Sequence, residues 1–140
     1  MNNLNRLLIL LLIFGFAGCG IKVWPEPDAS HEKFSISVPH HRMPDDCLEI
    51  HVEISGNYRN LGRVILELEV SEEPCPTCPF LVTDSIYLEP GSPELTLMEN
   101  RLTIVKCGLD PDKYYRARII AGNVYPIIRD VKSGVVIISQ

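Results

Sequence analysis

Cys75 and Cys78 stand three positions apart in the run Glu72-Glu73-Pro74-Cys75-Pro76-Thr77-Cys78-Pro79-Phe80. That spacing suits three chemistries: a redox dithiol, half of a zinc site, or a small closed disulfide loop. A redox pair needs its first thiol acidified, usually where a strand gives way to a helix N-terminus. Here the residues after Cys78 are Pro79-Phe80-Leu81-Val82-Thr83, which favour strand. Haem attachment requires a histidine directly after the second cysteine, and Pro79 occupies that place. A four-cysteine zinc site needs a second close pair, but Cys47 and Cys107 are far apart in sequence. A structural disulfide is the reading that remains, with a thiol-disulfide oxidoreductase using Cys75 and Cys78 as the alternative.

The other polar groups form no catalytic constellation in the sequence. His40 and His41 are adjacent in a turn-rich stretch near Asp45 and Asp46. Neighbouring side chains in extended backbone point to opposite sides, so a solvated loop is expected there rather than a metal site. His51 alternates with Glu49 and Glu53. Ser85, Ser92 and Ser133 lack a nucleophile motif, and no glycine-rich phosphate loop follows a strand. The expectation is a protein that is not an enzyme, with no catalytic residues, no metal and no diffusible cofactor. A net charge of −5 with interspersed signs argues against nucleic acid as a partner.

The elements that must position these residues are read from periodicity. Leu48, Ile50, Val52 and Ile54 alternate with Glu49, His51 and Glu53. Val64, Leu66, Leu68 and Val70 alternate with Ile65, Glu67 and Glu69, and Tyr115, Ala117, Ile119 and Ala121 with Arg116 and Arg118. A period of two means strands with one apolar face. Similar runs occur at 34–38, 80–88, 101–107 and 134–139, giving seven short strands from Phe34 onward. Eleven prolines and nine glycines supply the turns between them. The pattern predicts an all-β, two-sheet antiparallel sandwich. Strand count alone does not separate this from a closed barrel. On the wet face, Arg116 and Arg118 are expected to pair across strands with Glu67 and Glu69.

The chain opens with one basic residue, Arg6, then an apolar run from Leu7 to Ala17. At about 1.5 Å per residue that run is too short for a bilayer core of about 30 Å. It reads as a secretory signal over residues 1–18. The stretch Phe16-Ala17-Gly18-Cys19 resembles the lipobox of bacterial lipoproteins, with Phe16 in place of the usual leucine. The resemblance implies cleavage before Cys19, acyl and diacylglyceryl chains on that residue, and attachment to a membrane. The absence of aspartate after Cys19, where Gly20 stands, implies the outer rather than the inner membrane of the cell envelope. Residues 19–33, with Pro25 and Pro27, read as a lipidated tether, and Trp24 in it as an exposed linker or fold-back residue. Residues 34–140 then form the domain. The four remaining cysteines, an even number in an exported chain, point to disulfides, for which three pairings exist.

Leu109, Pro111 and Tyr115, falling just before the Tyr115–Ala121 strand, resemble the corner of fibronectin type III domains. The resemblance implies a fibronectin type III/immunoglobulin-like sandwich. It also implies that the Tyr115 hydroxyl bonds upstream backbone. The tryptophan usual in that family's second strand is missing, Leu48, Ile50 and Val52 standing there, and no Arg-Gly-Asp occurs. In the family's topology the strand that starts at Cys47 neighbours the strand that ends at Cys107, antiparallel. The resemblance therefore implies Cys47–Cys107, leaving Cys75–Cys78 as a small loop at the tip of its connection. The function expected is a membrane-anchored, non-catalytic binding or assembly module with an envelope protein partner, contacted through the exposed sheet or the apolar loop Val124, Tyr125, Ile127 and Ile128. Carbohydrate or ligand binding by the sheet is the alternative, although the tyrosines are scattered.

Overall fold

The computed structural model describes residues 30–138. Nine strands occur there: β1 (Phe34–Arg42), β2 (Leu48–Gly56), β3 (Leu61–Ser71), β4 (Asp84–Leu88), β5 (Leu95–Met98), β6 (Arg101–Lys106), β7 (Tyr114–Asn123), β8 (Val131–Lys132) and β9 (Val136–Ile138). They form two sheets, β1-β2-β6-β5 and β4-β3-β7 with β8 and β9 both paired to β7. Every pairing is antiparallel. The chain is a β-sandwich, and the signal, Cys19 and Trp24 lie outside the described residues.

The alternating pattern fixes which sides meet. Leu48, Ile50, Val52 and Ile54 of β2 face Val64, Leu66 and Leu68 of β3 and Ala117, Ile119 and Ala121 of β7 through a core in which each is at most 1 % exposed. Burying a side chain of this kind is worth about 1.5–3 kcal/mol. The small Ala117 and Ala121 lie beside Leu68 and Val64 in the β3–β7 register, so small and large side chains alternate in a close-packed layer.

Three expectations need correction. The strand expected over 80–88 begins only at Asp84: Phe80 and Leu81 engage side chains of β7 and β3, while Thr83 bonds the Leu68 and Val70 backbone through its N–H and hydroxyl. His40 and His41 lie inside β1 rather than in a loop. Pro39 has no N–H to give the ladder, and a register shift between Ser37 and His40 absorbs it. Strands β5 and β8 were not expected at all.

Chain direction sorts the molecule into two ends. Phe34 of β1 pairs with Gly56 of β2, and Leu61 of β3 with Asn123 of β7, so the start of the domain, the β2–β3 connection and the β7–β8 loop share one end. The β1–β2, β3–β4 and β6–β7 connections share the other, and both disulfides are there. Gly56 has φ +100°, and a Cβ there would meet the Lys33 carbonyl oxygen at 2.6 Å, so only glycine lets the incoming chain cross so closely.

Candidate interaction site

At the end where the chain enters, three asparagines hold it in place. The Glu32 carbonyl oxygen accepts from Asn123 Nδ2 at 2.8 Å and from Asn60 Nδ2 at 3.2 Å. The Glu32 carboxylate accepts from Asn57 Nδ2 at 3.1 Å and also from Asn60. These contacts lie inside the stretch expected to be tether, and Asn57 Nδ2 also reaches the His31 carbonyl oxygen at 3.4 Å.

The loop after β7 is built onto this clamp. The Val124 N–H donates to Asn60 O at 2.8 Å, the Tyr125 N–H to Asn123 Oδ1 at 2.9 Å, and the Ile128 N–H closes a turn on Tyr125 O at 3.0 Å. Arg63 clasps Asp130 at 2.7 Å across the base. The clasp passes directly over Gly122, where a Cβ would meet Arg63 side-chain atoms at 2.7 Å. This frame holds Val124 and Ile127 outward, 51 % and 68 % exposed, with Tyr125 at 37 %. Ile128, expected to share that exposure, is buried at 8 %. It turns inward because the turn at Tyr125 reverses the chain. With Phe34, Ile127 and Val131 it lines a groove of about 320 Å³, which Lys33 and Arg129 also border.

The opposite end answers the cysteine question. Cys47 and Cys107 continue the β2–β6 register by one pair and are disulfide-bonded, as are Cys75 and Cys78. No thiolate is available from these four for redox or metal chemistry in this state. The Cys75–Cys78 loop is not a free tip, because the chain after it folds back onto the outer face of β7. Arg116 donates to the carbonyl oxygens of Cys78 at 2.8 Å and Pro79 at 3.0 Å, and to Glu69 at 2.6 Å. Phe80 lies against the Arg118 guanidinium, 4.9 Å from its centre, and Arg118 pairs with Glu67 at 2.6 Å. Both expected cross-strand ion pairs are therefore present. The hydrogen bond from Arg116 holds the Glu69 carboxyl below its ordinary pKa; burial opposes this, and the Leu81 N–H assists. The ion pairs fill the middle of this sheet face, leaving Tyr87, Leu81 and Val82 exposed toward the β4 edge.

The Tyr115 corner is formed. Its hydroxyl accepts from the Asp110 N–H at 2.9 Å, Leu109 is buried, and the Leu109 N–H reaches Asp46 O at 3.0 Å. Pro111 is exposed and starts the turn. His40 and His51 face each other at 5.5 Å, and His51 pairs with Glu49 at 2.9 Å. His41 points the other way and donates to Ile137 O at 2.9 Å, tying β1 to β9. Among the described residues no three histidine, cysteine or acidic side chains are grouped to hold a metal ion.

No known family matches this chain. No curated protein matches it either. The residues sequence reasoning missed are the asparagines and the Arg63–Asp130 clasp. Their signal is faint, since polar residues next to turns are common and only long-range pairing gives them a role.

Proposed function

We propose that the chain is a bacterial lipoprotein, carried on the cell-envelope membrane by lipid on Cys19, whose fibronectin type III-like sandwich is a non-catalytic binding or assembly module. One observation carries this reading. Among the described residues Cys47 is bonded to Cys107 and Cys75 to Cys78, so Cys19, the fifth cysteine of the sequence, belongs to neither disulfide. That leftover residue stands directly behind an apolar run ending in Ala17-Gly18. Two disulfides suit an oxidising, exported compartment. Two or more acyl chains, at about 0.8 kcal/mol per buried methylene, would hold the domain on a membrane stably.

The binding role draws on what the surface offers. Its polar face is occupied by internally neutralised pairs, while exposed apolar side chains gather at the Val124–Ile127 loop and beside β4 at Leu81, Val82 and Tyr87. Envelope protein partners would meet the second of these.

Fractionation of cells expressing wild type and Cys19→Ala tests the anchor. Wild type should sediment with outer membranes and Cys19→Ala, neither lipidated nor cleaved at that site, should be lost from that fraction. Identical fractionation would refute it. Cross-linking in intact cells with Tyr87→Ala tests the binding surface, the expected result being loss of the cross-linked species.

A further inference from the structure

The entering chain, the outward apolar loop and a group of cations meet at one end of the sandwich. Around the loop stand Lys33, Arg59 and Arg129, all exposed. Of the carboxylates in the same cluster, Asp130 is ion-paired with Arg63, and Glu32 is held by the neutral amides of Asn57 and Asn60, which do not cancel its charge, so cations still outnumber acids around the loop. Farther round this end Glu53 pairs across the ladder with Arg101, and Glu99 occupies the β5–β6 turn. The far end has the reverse character: Asp45, Asp46, Glu72, Glu73, Asp110 and Asp112 are exposed there against Lys106 and Lys113. The protein is acidic overall, yet its apolar loop is bordered by positive charge.

We propose that this end rests on the surface of the membrane that holds Cys19, with Val124, Tyr125 and Ile127 in the headgroup layer and Lys33, Arg59 and Arg129 against anionic phospholipid headgroups. The proposal depends on the lipoprotein reading above and names what its loop touches. The length of the connecting chain supports it. Only residues 19–29 separate the anchor position from the described chain, and even fully extended they reach no more than about 40 Å, so the loop is held near the bilayer at a raised effective concentration. A contact too weak to recruit a free domain is then sufficient to orient a tethered one. A tyrosine among aliphatic residues suits the interface, where an apolar body and a polar tip are both accommodated. Repulsion of the acidic far end from an anionic surface favours the same orientation. The disulfide-bearing end would point away from the membrane, and the Leu81–Tyr87 side would be presented laterally.

The test uses the lipidated protein purified from membranes and inserted in vesicles of mixed zwitterionic and anionic phospholipid, some spin-labelled at the headgroup. Methyl signals of Val124 and Ile127 should be lost to paramagnetic broadening while those of Leu81 and Val82 persist. Raising salt to about 1 M, where the Debye length is about 3 Å, should weaken the contrast. Lys33→Glu with Arg129→Glu should restore the Val124 and Ile127 methyl signals, and Val124→Asp with Ile127→Asp should sharpen those of Ile128 and Val131 at the same end, with far-end spectra reporting that the fold is intact. Equal broadening at both ends overturns the proposal. So does an absence of broadening in vesicle-bound protein, including the case where the indole of Trp24 shows contacts to Ile127 and Ile128 and has taken the groove. Wild-type protein that fails to float with the vesicles instead overturns the anchoring reading, and the proposal with it.

Discussion

Replacing Arg116 with methionine probes how the Cys75–Cys78 segment is held. The Arg116 and Glu69 side chains are only 10 % and 13 % exposed. Removing one partner of a buried pair costs about 3–5 kcal/mol, because the other charge is left without compensation. The figure here is lower, since Glu69 keeps the Leu81 N–H at 3.0 Å and the Cys78 and Pro79 carbonyls are exposed enough to bind water. We expect a loss of about 2–3 kcal/mol by urea denaturation. In a domain of this size that lowers Tm by about 10–20 °C. Amide exchange at Phe80, Leu81 and Val82 should accelerate more than the global loss requires, as the chain leading into them is docked through this guanidinium. The paired variant Arg116→Met with Glu69→Leu should recover most of the stability, to within about 1 kcal/mol of wild type, since no buried charge is left alone. A single variant within about 0.5 kcal/mol of wild type would refute the clasp. So would a double variant as unstable as the single.

Four further outcomes follow from the same geometry. Glu69 has a folded pKa below its unfolded value, so its contribution is present above the unfolded carboxyl pKa and disappears as pH falls through the folded one. Acid titration of stability should therefore show a component below about pH 4 that Glu69→Gln lacks. Replacing both Cys47 and Cys107 with alanine should cost about 2–4 kcal/mol, and replacing Cys75 and Cys78 distinctly less, because the first pair closes a sequence separation of 60 and the second of 3. Tyr115→Phe, measured by thermal unfolding, should cost about 1–2 kcal/mol by stranding the Asp110 N–H. Gly56→Ala should destabilise by more than the usual 1 kcal/mol or so for a surface change, since the new methyl meets the Lys33 carbonyl.

Strand parity was the most legible part of the sequence. Alternation in 48–54, 64–70 and 115–121 placed each core residue and each charge on its proper side, and with them the Glu67–Arg118 and Glu69–Arg116 pairs. The Cys47–Cys107 bridge was legible only through the fibronectin type III resemblance, whose topology makes the two strands neighbours; the cysteine spacing alone left three pairings open, and the structure pairs these two. Other features were hidden for physical reasons. Strand β5 spans only four residues after Gly91-Ser92-Pro93, too few for a period to register. β1 continues past Pro39 because a bulge removes the need for its N–H, a tertiary adjustment that local propensity does not encode. Phe80, Leu81 and Val82 have strand-like composition, but the Arg116 and Arg118 guanidiniums and the Glu69 carboxylate compete successfully for that segment. Composition also gave no means of telling Ile127 from Ile128, since only the turn at Tyr125 leaves one exposed at the groove's rim and buries the other.

The proposed function rests on lipidation of Cys19, a proposal that intact-mass analysis of the protein extracted from native membranes tests most directly. The account predicts a chain lacking residues 1–18 whose first residue is a cysteine carrying diacylglyceryl and amide-linked acyl groups, with two disulfides elsewhere. A product that begins at Met1, or one with a free thiol at Cys19, would contradict it.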